Sequence, residues 1–249
     1  MRVFTVFAAC LLTATLASPQ AKPLPKVKSR AEGQMVNAML QAKDPDASIK
    51  AADDLVTKFH DTEFKSMAYY IEADSYQQKG DNAKAVVYAE QSLMADPMYI
   101  DPMVLLANVI STTTRDTDLD KEEKLARADK YAKDALMLLA SATKPDPKMT
   151  DDKWESYKKS EEAQAYQALG NDALIRKNTD EAVADYQKGI DAVPDPLLMI
   201  RAGRALLAAR KPEDAATWFD KAINTPGVSD QIKNIATQDK ARATAQIKK

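Results

Sequence analysis

Three stretches of this chain repeat one pattern at one spacing, and a chain that does so has few ways to fold. The clearest copy runs Tyr166, Leu169, Gly170, then Ala182, Tyr186 and Pro194. A second runs Met199, Ala202, Gly203, then Ala215 and Phe219, and a third runs Tyr69, Ala73, Tyr76, then Ala85, Ala89 and Pro97. In each, a bulky residue stands 16 residues before a key alanine: Tyr69 before Ala85, Tyr166 before Ala182, Met199 before Ala215. Helical hairpins recurring about every 34 residues carry this signature. One hairpin cannot cover its own apolar face, so the units must stack to make a core.

The residue sizes follow from that stacking. Gly170, Gly203 and Ala73 are small where the two helices of a unit cross closely, and Ala85, Ala182 and Ala215 are small for the reciprocal reason. Tyr186 and Phe219 are expected to fill the space between neighbouring units. A degenerate first unit places Met35, Val36, Met39 and Leu40 on one helical face and Ile49, Ala52, Leu55, Val56 and Phe59 on another. The turn between them is Asp44-Pro45-Asp46, with Asp46 expected to cap the second helix. Ser48 and His60 stand where the alanine and closing proline of the pattern would be. In the third unit Met103 precedes Ala128 by 25 residues, which predicts an insertion of about nine residues in a loop over 112–123. The polar stretch Thr150 to Ser160 extends the first helix of the fourth unit. Ser229 caps a last, polar helix bearing Ile232, Ile235, Ala236 and Ile247, suited to shielding the end of an open array. No alternating strand pattern competes. The organisation is thus a signal peptide over 1–21, a flexible leader over 22–28 with Pro23 and Pro25, about five hairpins over 29–228, and a capping helix over 229–249.

The net charge of −2 and pI near 5.6 give no basis for nucleic acid or an anionic membrane surface as partner. At the N-terminus Arg2 precedes an apolar run from Val3 to Leu16, with small residues suited to cleavage before Ser18 or after Ala21. This reads as a secretory signal peptide, and about 14 apolar residues are too few to span a bilayer. Phe7-Ala8-Ala9-Cys10 loosely matches a lipoprotein-processing motif, but too little apolar sequence precedes Cys10 and the run continues beyond it. Cleavage would remove the only cysteine, leaving no thiol nucleophile, disulfide or thiolate metal ligand. The expectation is a secreted or periplasmic protein with no membrane span in its mature chain.

At the repeated residues the chain resembles a tetratricopeptide repeat (TPR) protein over most of 29–227. The resemblance implies an all-α, right-handed α-solenoid of TPR hairpins whose first helices line a concave groove, and a groove of this kind binds an extended peptide or a helix of a partner. It brings no catalytic residue with it. In the family's geometry the groove-facing positions are Tyr70, Asp74 and Gln77 in the second unit, Val104, Asn108 and Ser111 in the third, Gln167 and Asn171 in the fourth, and Arg201 and Arg204 in the fifth. Some members hold a C-terminal carboxylate with Asn and Lys or Arg on neighbouring first helices. Asn171 with Arg204 partly resembles that set, and arginine pairs well with a carboxylate. Leu197 and Ile200, however, occupy positions where charge would help, so ordinary solvated groove residues are the simpler reading. Aromatic and arginine anchors carry most binding energy in such surfaces, which singles out Tyr70, Arg201 and Arg204.

Nothing else in the sequence makes a catalytic or metal site. Asp116, Asp118 and Asp120 loosely resemble the start of a calcium loop, but Lys121 replaces its glycine and Arg127 its closing glutamate. His60 is the only histidine. Phosphate-loop, dinucleotide, zinc-protease and nucleophile-elbow motifs are missing. The sequence therefore predicts a non-catalytic scaffold that binds a protein or peptide and uses no cofactor or metal. The alternative is a structural component of a cell-envelope assembly, in outer-membrane biogenesis or polysaccharide secretion, that bridges several proteins. An enzyme would need a closed pocket with strongly perturbed carboxylates.

Overall fold

A computed structural model describes residues 24–247. The expected signal peptide, its cleavage site and Cys10 lie outside the described residues. Eleven helices and no strand occur among those residues. Five hairpins follow one another: α1 (Arg30–Gln41) with α2 (Pro45–Lys58), α3 (Lys65–Gln78) with α4 (Asn82–Ala95), α5 (Ile100–Thr113) with α6 (Lys121–Ser141), α7 (Asp151–Ile175) with α8 (Thr179–Ala192), and α9 (Pro196–Ala208) with α10 (Pro212–Ile223). A last helix, α11 (Asp230–Ile247), packs on α10 as the first helix of a further unit would.

Each helix packs on its sequence neighbours, and additional contacts join α3 to α5, α5 to α7 and α9 to α11. Successive first helices thus approach one another more closely than successive second helices do. The array must curve toward the first helices, which form its inner face. This is an all-α helical solenoid.

Capping side chains start the helices where sequence chemistry allows. Asp44, Asp81 and Asn178 accept backbone hydrogen bonds from Ala47, Lys84 and Glu181. The cap of α2 is therefore Asp44 rather than the expected Asp46. Pro45 suits the first helical position, where no N–H is needed, and this moves the cap to the residue before Pro45.

The rings of Tyr186 and Phe219 lie against the glycines of their own hairpins and belong to a core shared with the neighbouring units. A Cβ on Gly170 would run into the Tyr186 ring, and one on Gly203 would stand 2.6 Å from Phe219. In the same repeat register the other hairpins pair Ala73 with Ala89, Ala107 with Ala132 and Val36 with Ala52, all buried. A large residue on the second helix goes with glycine on the first, and alanine with a larger partner. A ring at the crossing needs glycine opposite it, because a close-packed interior has no room for both the ring and a methyl.

The insertion in the third unit is only partly a loop. Helix α5 continues to Thr113 and α6 begins at Lys121, so part of the extra length is an additional turn at the front of α6. The remaining loop is tied down. Lys177 bonds Asp116 at 3.1 Å, and Arg176 reaches Glu122 at 3.2 Å and Asp129 at 3.0 Å. The described part of the leader, expected to be flexible, is also anchored. The Lys28 N–H donates to Glu32 and the Lys26 N–H to Glu63, while Lys28 Nζ pairs with Asp61. Glu32, which takes the place of the bulky opening residue, is buried and accepts a bond from Thr62 at 2.7 Å.

Candidate functional site

The inner face is richest where α3, α5 and α7 converge. Tyr70 on α3 meets Tyr99 edge-on, with ring centres 5.4 Å apart. Tyr99 immediately precedes α5, and two residues on, Asp101 accepts a hydrogen bond from Tyr157 Oη at 2.7 Å. Tyr157 lies on the polar extension of α7, stacked on Trp154 at 5.3 Å. Glu161 lies one turn further along the same helix.

The electrostatics follow from that crowding. Burial first, and the charge of Asp101 second, push the phenols of Tyr70, Tyr99 and Tyr157 well above the usual tyrosine range. Glu161 is pushed up to about 7, by burial and then by repulsion from Asp101. Asp101 is itself raised by burial, against the opposing pull of hydrogen bonds from Tyr157 and Tyr99.

Other groove candidates fare unequally. Tyr70, Asp74 and Gln77 are half-buried on α3, as are Gln167 and Asn171 on α7. Asn108, with Val104 and Ser111, is buried instead of facing an open groove. The reason is the length of α7, which packs along α5 and receives an Asn108 amide bond at the carbonyl of Gln164, 3.3 Å away. Asn171 is not brought to Arg204. Its Oδ1 accepts from Tyr186 Oη at 2.8 Å and from Arg201 at 3.4 Å. Arg204 is committed to Asp239 of α11 at 2.6 Å, and Arg242 holds the other oxygen of that carboxylate at 3.0 Å. The arginine expected to grip a partner's carboxylate already holds one from its own chain.

Asp239 is 4% exposed, and both of its oxygens are held by arginines. Arg204→Ala is expected to cost about 1–2 kcal/mol, less than a fully buried pair because Arg242 remains and Arg204 is half exposed. Hydrogen exchange should show faster amides in α11 with α3 and α5 unchanged.

The carboxylates of the acidic loop are paired with lysines. Asp116 pairs with Lys121 at 2.9 Å, while Asp118 and Asp120 both pair with Lys124. Among the described residues no cluster of three or more potential metal ligands forms, and no helix is long and apolar enough to cross a membrane. His60 is exposed just beyond the end of α2.

Comparison with known proteins bears on this arrangement directly. Residues 167–229, from the last third of α7 through α10, match the tetratricopeptide repeat family model. That segment carries the tetratricopeptide repeat signature. The chain's fold resembles that of TTC0263, a thermophilic TPR protein of Thermus thermophilus, at 15% identity with a TM-score of 0.57, covering 84% of this chain and 95% of that one. It also resembles MamA, at 16% identity and a TM-score of 0.53 over 80% of this chain and 91% of that one. A MamA fragment beginning at residue 41, from Desulfovibrio magneticus RS-1, gives 15% identity and a TM-score of 0.52, over 82% of this chain and 99% of that one. No curated protein sequence matches the chain.

The repeat spacing accounts for Tyr70, but not for Tyr99 or Tyr157, which lie outside the repeated positions. Those two, with Asp101 and Glu161, are the inner-face residues that sequence reasoning missed. The available signal was a pair of aromatics, Trp154 and Tyr157, one turn apart in an otherwise charged helix.

Proposed function

We propose that this TPR chain is a non-catalytic interaction scaffold that holds a segment of a partner protein along the face formed by its first helices. The observation that carries the reading is the contrast between filled hairpin cores and an inner face that keeps Tyr70, Asp74, Gln77, Gln167 and Asn171 only half-buried and Arg201 exposed. Aromatic and arginine side chains on a curved helical surface are the usual anchors for a docked peptide. The apolar N-terminal run, Val3 to Leu16, supports a location outside the cytoplasm.

Affinity capture with the full chain from its native source tests this reading. Gln167→Arg combined with Arg201→Glu changes the charge and bulk of the inner face without touching a buried core residue. The dominant captured protein is expected to fall at least tenfold in this variant, with thermal stability unchanged. Undiminished capture would remove the groove reading.

The second reading, an assembly component that bridges several proteins, draws support from the second helices. Val87 and Met94, two turns apart on α4, are 50% and 83% exposed, and Met137 on α6 is 65% exposed. Large apolar groups left in water on the side away from the groove suit contacts with further proteins. That reading predicts several captured proteins, lost on Met94→Ser and Met137→Ser rather than on the inner-face changes.

A further inference from the structure

Many carboxylates on this chain have a cationic partner. Asp116, Asp118, Asp129 and Asp239 each have a lysine or arginine nitrogen within 4 Å. At the inner face of α3, α5 and α7 several carboxylates stand together without one. Among the described residues no ion pair reaches Asp74, Asp101 or Glu161, although the three lie close enough to act together on the phenol of Tyr70. Asp74 accepts only from the amide of Gln78, and Glu161 only a long bond from Gln164 at 3.4 Å. Lys158, next to Tyr157 in sequence, is turned to Glu155 at 2.8 Å and over the Trp154 ring.

Negative charge without a counter-ion is here combined with aromatic surface. Tyr157 Oη donates to Asp101, and the rings of Tyr70 and Tyr99 meet beside that carboxylate. A guanidinium or ammonium is attracted both to ring faces and to carboxylates. It would also relieve a strain already present, since burial and repulsion hold Glu161 up at about 7.

We propose that the face formed by Tyr70, Tyr99, Asp101, Tyr157 and Glu161 receives a basic side chain of the bound partner segment, with arginine the better fit. This inference rests on the groove reading and names the chemistry of the partner at one position in it. Charge complementarity selects the occupant: a segment presenting an acidic residue here would meet three carboxylates, and a neutral one would leave them uncompensated.

Fluorescence anisotropy on the full chain at low ionic strength tests it. The probe is a fluorescein-labelled dodecapeptide with arginine at alternate positions in a Ser/Leu background, and the reference replaces each arginine with citrulline, which keeps the shape and removes the charge. The arginine peptide is expected to bind at least tenfold tighter than the citrulline peptide. Asp101→Asn with Glu161→Gln should abolish that preference, whereas Glu123→Gln with Glu213→Gln, both exposed on second helices, should keep it. Should the double change unfold the chain, Glu161→Gln alone, which removes no short hydrogen bond, should still weaken the preference several-fold. Equal affinities for the two peptides, or a preference that survives loss of both carboxylates, would overturn the proposal. The outcome is separable from that of the groove reading. Groove-dependent capture of a natural partner with no arginine preference would sink this inference alone, and loss of groove-dependent capture would sink the broader reading.

Discussion

Phe219→Ala is expected to cost about 4 kcal/mol, the largest effect of any single side chain in the C-terminal half. Phe219 is fully buried in a core built from α8, α9, α10 and α11, together with Tyr186, Leu198, Trp218 and Ala236. Its ring fills the place that a side chain at Gly203 would take. Gly203→Ala puts a methyl 2.6 Å from the ring and is expected to cost about 2 kcal/mol by overpacking. The two changes should not add. Once the ring is gone the methyl enters vacant space, so the double variant should be more stable than the sum of the two losses by about 1–2 kcal/mol. Chemical denaturation of the four proteins measures this directly. Strict additivity would show that ring and glycine do not share one volume. Because neighbouring units support each other only through their shared faces, the loss should appear first as melting of the C-terminal units.

The second large effect is a dependence on pH that runs against the usual direction. Glu72 on α3 is 1% exposed, faces Asp53 of α2, and has one carboxylate oxygen without a hydrogen-bond partner. Burial chiefly, then Asp53, pushes it up to about 8. Asp172, buried where α7 meets α6, is likewise raised to about 8, by burial and then by Asp129. A carboxyl whose folded pKa lies above its unfolded value holds more protons in the native state than in the unfolded one. Stability then falls as pH rises from the unfolded pKa, near 4, to the folded one, near 8. Groups held below their ordinary value, such as Asp116 and Asp151, act only below that window. The wild-type chain should therefore be more stable at pH 5.5 than at pH 8.5. Glu72→Gln, neutral at every pH, should gain about 2 kcal/mol over wild type at pH 9 and nothing at pH 5. Denaturation curves across this range check it, and a wild-type stability that is flat or rising from pH 5 to 8 would contradict it.

Architecture was legible in the sequence because stacked hairpins write their constraints locally. Tyr166, Gly170, Ala182 and Tyr186 state within one unit that two helices cross closely and that a ring must be housed there. The size of the insertion in the third unit was legible for the same reason, since Met103 and Ala128 keep their roles while their spacing grows. Its division between loop and helix was not, because an extra turn at Lys121 depends on packing rather than on a break in pattern.

The repeat register placed a residue where its surroundings come from its own unit and missed what covers it where they come from elsewhere. Tyr70 and Asp74 sit where the repeat places them. Asn108 is covered because α7 starts early enough to lie along α5, and nothing in the third unit announces that. Arg204 is occupied by Asp239, which comes from a helix beyond the last full repeat. Tyr99 and Tyr157 were overlooked because they fall in a linker and in an extension, outside the repeated positions. Contacts between units depend on where each helix begins, which a per-unit pattern does not encode.

Site-specific photo-cross-linking tests the central claim most directly. A photoreactive residue is placed in turn at Gln77, Gln167 and Arg201 on the first helices, and at Lys130 and Thr217, exposed on the second helices. Each full-length chain is then irradiated in its native setting. A partner held in the groove should cross-link from the three inner positions to one and the same protein, and not from the outer two. Cross-links from Lys130 and Thr217 alone would place the partner on the opposite face and contradict the account.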